Sequence, residues 1–252
     1  MSGSTIKGII FDLGSTLIEY ESRPWAEVEY DAQKFAYNRL GTHEMLPSFE
    51  SFNARLEEIK AEYRAWSRKT LNEYLAFEPV QDLFRELRLP YPLPLGKEFI
   101  DNYYVVVHRQ LAVDPEAYST LQSLKQQGYR IGLISNTRFP GHYQDNDLER
   151  FGLLSFFDWR LYSADFGYRK PHPSIYAEGL KRIGLAAKEV LYIGDRYLED
   201  VSGPQEARMK VVLKYQKLRE YPDPMPSGFT VIKRLREVLN LVKNGNMNPN
   251  RK

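Results

Sequence analysis

The chain contains no cysteine, and this absence removes a disulfide framework, a cysteine-ligated zinc and a thiol nucleophile together. It also has no run approaching the roughly 18 apolar residues that a membrane-spanning helix needs. Its polar start, MSGST, lacks the apolar stretch of a secretory signal. Nor is there a surplus of one charge: 35 Lys and Arg stand against 33 Asp and Glu, a net charge of +2. Binding to nucleic acid or to a membrane surface needs clustered positive charge, so neither is expected as a partner. No internal repeat is found. These absences predict a soluble, cytoplasmic protein.

What is present is the composition of an ordinary folded chain. It has 252 residues, 42% hydrophobic, 13% aromatic and 27% charged, enough for one large domain or two smaller ones. Ile6 to Leu13 holds a short apolar run that stops at Asp12, with Gly14, Ser15 and Thr16 after it, and reads as a buried strand ending in a polar loop. Tyr129 to Ile134 has the same shape: it follows a helix-like stretch begun by Asp114 and Pro115 and closed by Gly128, and it ends in Ser135, Asn136 and Thr137. Val190 to Ile193 repeats it, ending in Gly194 and Asp195. Further runs at Trp159 to Tyr162, Val211 to Leu213 and Phe229 to Ile232 alternate with helix-like stretches at Pro173 to Ile183 and Leu235 to Val242. Such alternation predicts an α/β fold, a parallel sheet with helices on both faces. In open sheets of this kind the ligand lies outside the carboxyl ends of the strands, where the polar residues fall.

Between the first two of these strands lies a long insertion, Glu19 to Leu111, with helical periodicity. Trp25, Val28, Ala32, Phe35 and Leu40 approximate one face, ended by Gly41. Phe49, Phe52, Leu56, Ile59, Tyr63 and Trp66 step by threes and fours, as an amphipathic helix requires. Helix packing explains this stripe better than a stacking surface for a ligand. Pro90, Pro92 and Pro94, followed by Gly96, predict a loop between insertion helices. The polar stretch from Asn244 to Lys252 reads as a frayed tail. His43, His108, His142 and His172 are scattered and read as surface or packing residues.

The strand ends gather Asp12, Ser135 with Asn136, and Asp195 with Asp200, and Lys170 stands in a loop before a helix. Several carboxylates at one sheet edge repel one another and call for a cation, and an all-oxygen set suits magnesium. A lysine and a small hydroxyl beside them suit an anion, a combination that serves phosphoryl transfer. The segments FDLGSTL, LISNT, the lysine of YRKPHPSIY and IGDRYLED resemble, in order, the four motifs of the haloacid dehalogenase-like hydrolases. The resemblance covers almost the entire chain. It implies a Rossmann-like core of residues 1–18 and 112–252 and an inserted α-helical cap of residues 19–111. It further implies that Asp12 is a nucleophile forming an aspartyl-phosphate, that Ser135 and the Asn136 amide bind a phosphoryl oxygen, and that Lys170 neutralises both groups. Mg2+ would be held by Asp12, the Gly14 carbonyl and Asp195, with Asp200 ligating or ordering a bound water.

One departure bears on the chemistry. Phosphatases of this family usually carry a second Asp two residues after the nucleophile, as general acid and base, and here that position is Gly14. The leading expectation is a magnesium-dependent phosphatase of a small phosphorylated metabolite. The alternative is a weak or inactive member that binds a phosphorylated ligand or a protein partner. A 2-haloacid dehalogenase fits less well, because it has no need of the acidic fourth motif, and a phosphomutase would rely on the missing acid. Arg23, Arg64 and Arg68 are candidates for a second anionic group of the substrate. Nothing in the sequence chooses between a monomer and a homodimer.

Overall fold

The computed structural model describes residues 5–20, 23–41 and 45–243. The chain opens with β1 (Gly8–Phe11) and the short β2 (Ile18–Glu19). Four helices follow, α1 (Trp25–Tyr37), α2 (Phe49–Thr70), α3 (Phe77–Glu86) and α4 (Pro92–Arg109). Then come β3 (Ala112–Val113), α5 (Ala117–Gln126), β4 (Arg130–Ser135), α6 (Gly141–Arg150), β5 (Trp159–Tyr162) and α7 (Ser163–Phe166). The chain continues through α8 (Pro173–Ile183), β6 (Val190–Gly194), α9 (Gly203–Glu206), β7 (Lys210–Lys214), β8 (Thr230–Ile232) and α10 (Glu237–Lys243).

Six strands form one parallel sheet in the order β5-β4-β1-β6-β7-β8. β1 lies between β4 and β6, with Gly8 to Phe11 opposite both Arg130 to Leu133 and Val190 to Ile193. Every residue of β1 and β6 is buried, which is why both read as unbroken apolar runs rather than alternating ones. Because the three central strands are parallel, the residues at or just past their carboxyl ends, Asp12, Ser135 and Asp195, arrive at one edge. β2 and β3 make a separate antiparallel pair, Ile18 opposite Val113 and Glu19 opposite Ala112. The helical segment therefore leaves the sheet and returns to it side by side. Within that segment α4 packs along α1 and α3, and the rings of Phe52, Phe84 and Phe99 meet with centroids within 6.2 Å.

Several local expectations are corrected. Pro92 and Pro94 lie in the first turn of α4, and Gly96 lies in the helix body. The first-turn N–H groups have no intrahelical partner, so proline is tolerated there, while Gly96 is pressed against the Phe77 carbonyl of α3. Trp66 does not continue the buried stripe of α2: it is 46% exposed, and Ser67 takes the inward position, donating to the Asn72 carbonyl at 2.6 Å. On α1 the buried face is Val28, Ala32 and Ala36, with Phe35 only half-buried. α5 starts at Ala117 rather than Asp114, whose carboxylate accepts from the Glu116 N–H. Residues 1–4, His43 and the stretch 244–252 lie outside the described residues. Among the described residues no helix is long and apolar enough to cross a membrane.

Candidate active site

Asp12 follows β1 directly, and its N–H still donates to the Ile193 carbonyl of β6 at 2.8 Å. The chain then turns tightly, with the Leu13 carbonyl accepting from Thr16, Leu17 and Ile18, so the Thr16 hydroxyl comes back to Asp12 Oδ2 at 3.3 Å. The loop is braced from behind by the buried Lys214 at the end of β7. Its ammonium donates to the carbonyls of Ser15 (3.2 Å) and Thr16 (2.8 Å) and to Asp114 Oδ2 (2.6 Å).

Lys170 Nζ reaches Asp12 Oδ1 and Asp200 Oδ1, each at 2.6 Å, and the Tyr192 hydroxyl at 3.1 Å. It is 2% exposed. The Asn136 side chain fixes its backbone: Oδ1 accepts from the Lys170 N–H at 2.7 Å and Nδ2 donates to the Lys170 carbonyl at 3.0 Å. Burial works against the lysine's charge, but the Asp12 and Asp200 carboxylates outweigh it and hold its pKa well above the ordinary value. Asp12 is pushed up to about 7, first by burial and then by Asp200 and Asp195, with Lys170 opposing.

Asp195 stands past the end of β6 and Asp200 in a π-helical turn, Tyr197–Ser202. Asp200 Oδ2 accepts from the N–H groups of Asp195 (3.1 Å) and Arg196 (2.9 Å). Both of its oxygens are thus engaged, one by the loop and one by Lys170. A Cβ at Gly194 would run into Asp200 Cγ, so the close approach of Asp200 to the strand requires glycine there. Asp195 Oδ2 pairs with Arg219 Nε at 2.6 Å, and Arg219 also donates to the Ser15 hydroxyl at 2.8 Å. Burial and Asp200 push Asp195 up to about 6, against the pull of Arg219.

A cation fits this donor set. One oxygen from each of Asp12, Asp195 and Asp200 lies within 4.8 Å of the others, and Asp195 Oδ1, fully buried, has no hydrogen-bond partner among the described residues. A buried carboxylate oxygen without a partner is costly. A hard cation would satisfy it.

Asp12 and Lys170 face a cavity of about 380 Å³ between the sheet edge and the helices of residues 25–109, where Gly14, Ser135 and Asn136 also line that end. Arg23 pairs instead with Glu27 and Asp31 on the surface, Arg64 pairs with Glu57, and Arg68 is exposed. None of these three lines the cavity, whereas Arg138, Arg169, Arg196 and Arg219 do. Of the histidines, His172 caps α8 by accepting from the Ser174 N–H, and His142 stacks on Tyr143. His108 lies 2.6 Å from the buried Asp147, which also accepts from Tyr20 and Tyr104.

Sequence reasoning missed Lys214 and Arg219. Lys214 did carry a signal, a lysine at the carboxyl end of an apolar strand. Arg219 belongs to an irregular stretch and meets Ser15 from 204 residues away, which no local spacing reports.

The profile of one family, haloacid dehalogenase-like hydrolase, matches residues 6–208. A glyceraldehyde 3-phosphate phosphatase of Methanocaldococcus jannaschii is 31% identical over 95% of this chain and 98% of its own length. Among solved structures, a 2-haloacid dehalogenase from Pseudomonas syringae pv. Tomato DC3000 superposes with a TM-score of 0.72 at 20% identity, covering 96% of this chain and 100% of that one. A HAD phosphatase from Thermococcus onnurineus gives 0.62 at 23% identity, covering 94% and 98%. At these identities the structural likenesses show the fold alone.

Proposed function

Because this chain belongs to the haloacid dehalogenase-like hydrolase family, we propose that it is a magnesium-dependent phosphatase of a small phosphorylated metabolite. The observation that carries the reading is Asp12 itself. It lines the cavity with one oxygen held by Lys170 and the other by a long hydrogen bond from Thr16. The similarity to a named phosphatase over nearly the full length of both chains supports it, and the partnerless oxygen of Asp195 favours it over a dehalogenase, which needs no metal.

Asp12 attacks the phosphorus of the bound ester. A bond forms between its carboxylate oxygen and phosphorus, and the ester P–O bond breaks, leaving the alcohol oxygen with its electron pair, which takes a proton from solvent. Water then attacks the same phosphorus and gives up a proton to solvent, the P–O bond to Asp12 breaks, and inorganic phosphate leaves with the carboxylate restored. Lys170 balances the charge of both the nucleophile and the phosphoryl oxygens, and Ser135 with the Asn136 amide binds one of those oxygens. Magnesium, held by Asp12, the Gly14 carbonyl and Asp195, would supply further positive charge against the phosphoryl group. Asp200 holds Lys170 and the Asp195 loop in place. Residues 19–111 act as a cap, hinged at the β2–β3 pair, that shields the intermediate from bulk water.

The test is hydrolysis of an aryl phosphate with and without Mg2+, by wild type and by Asp12→Asn. Metal-dependent turnover that the variant loses is expected. Turnover that survives chelation or survives the substitution contradicts the reading.

A further inference from the structure

The cavity beyond Asp12 differs in character from its catalytic end. Its far walls carry the rings of Trp25, Tyr74, Phe99, Tyr103, Tyr104 and Phe139, with aliphatic side chains of α2, α3 and α4 between them. Phe139 joins the two regions. It stands three residues beyond Asn136, its N–H held by the Thr137 hydroxyl at 3.0 Å. Its ring stacks on Tyr103, with centroids 5.8 Å apart and 28° between planes, and meets Tyr104 edge-on at 4.8 Å.

Most of the charged groups along these walls are partnered within the protein, while Arg138 sits on a ring. Lys60 pairs with Glu29 and Glu57, Glu199 lies between Arg169 and Arg196, and Glu73 accepts from the Ser163 hydroxyl at 2.8 Å. Arg138 lays its guanidinium over the Tyr74 ring at 5.1 Å and extends the flat surface. A polyol placed here would exchange water for walls made mostly of rings and methyl groups, with the Tyr74 hydroxyl and Gln144 Oε1 as the buried lining atoms that have no hydrogen-bond partner among the described residues. A ring would exchange water for rings at the offset or edge-on geometry aromatic pairs prefer, in a volume within the range of about 300–1,000 Å³ typical of small-ligand sites.

Resting on the phosphatase reading, we infer that the ester taken by this site carries an aromatic ring on its organic part, held between Trp25, Phe139 and the tyrosines of α4. The substrate class is an aromatic phosphomonoester rather than a triose or sugar phosphate. Trp25 and Phe139 are the specificity-determining residues best suited to substitution, being half-buried rather than core.

The experiment compares kcat/KM for benzyl phosphate and glycerol 3-phosphate, both of which release an alcohol whose oxygen is on an sp3 carbon, so that the ring is the main difference. Benzyl phosphate is expected to be favoured about 10- to 100-fold, the scale on which an apolar pocket discriminates. Phe139→Ala and Trp25→Ala should each cut that ratio about tenfold, and Phe139→Leu, which keeps bulk, should cut it in the same direction if the alanine variant fails to fold. Binding of benzylphosphonate against methylphosphonate, measured by calorimetry, reads the same preference without turnover, since neither is a hydrolysable ester. Glycerol 3-phosphate turned over as well as or better than benzyl phosphate would overturn the ring preference and leave the phosphatase reading standing. Hydrolysis of neither ester nor of an aryl phosphate, with benzylphosphonate still bound more tightly than methylphosphonate, would instead sink the phosphatase reading and keep the ring pocket. Neither hydrolysis nor ring-dependent binding overturns both.

Discussion

A side chain at Gly14 would find room: a Cβ built there meets only Tyr20 Cδ2, at 3.8 Å. The backbone at Gly14 is not left-handed either, so neither space nor conformation demands glycine. The missing acid and base can therefore be restored. Gly14→Asp is expected to raise turnover of an alkyl phosphate by up to about 10²- to 10⁴-fold, and that of an aryl phosphate much less, because an aryl oxygen leaves without a proton. Steady-state rates on the two esters check this, and a variant slower on both would mean that another group already donates the proton. The raised carboxylates give a second prediction. Burial lifts Asp12 to about 7 and Asp195 to about 6, above their ordinary value of 3.8, so without metal the support they lend to folding is full below that value and lost as pH climbs through 6 to 7. Magnesium would bind the ionised forms, so its upward shift of the melting temperature is expected to be larger at about pH 8 than at about pH 5. Equal shifts measured by scanning fluorimetry at the two pH values would contradict it. The placement of Asp12, Ser135 and Asp195 at one sheet edge was legible because each stands at or just past the end of an apolar strand. The clamp of Asn136 on Lys170 was not, since it joins loops 34 residues apart.

Among the elements, the strands were read most closely, because β1, β4 and β6 are buried on both faces and so write themselves as apolar runs. The helices of the insertion were read as helices but less well at their edges. Threes and fours drift from a true 3.6-residue period, so Trp66 turned outward and Ser67 inward. The segment after α2 carried no pattern, yet it docks on the loops of the site: Glu73 N–H donates to the Gly167 carbonyl and Ala76 N–H to that of Arg138, both at 2.8 Å. The β2–β3 pair, two residues on each side, is the hinge proposed above. Hydrogen exchange with vanadate as phosphate mimic should slow around Glu19 and Leu111. Unchanged exchange there at saturation would mean that the helical segment does not close on a ligand.

At the scale of the molecule, the strand order matters more than any single motif. Placing β1 between β4 and β6 brings together residues more than 120 positions apart in the chain. It concentrates three carboxylates, to which Lys170 and Arg219 are paired and among which a cation would fit. The alternation of elements predicted such a sheet, though not the arginine that pairs with Asp195. The central claim is that this edge makes and breaks a bond between phosphorus and Asp12. It is tested most directly by mixing enzyme, Mg2+ and an aryl phosphate, quenching in acid within one turnover, and sequencing the peptides by mass spectrometry. The expected result is a phosphoryl group on Asp12, present in wild type and absent from Asp12→Asn. Burst release of the phenol with no phosphorylated Asp12 peptide, or the same burst from Asp12→Asn, would contradict it.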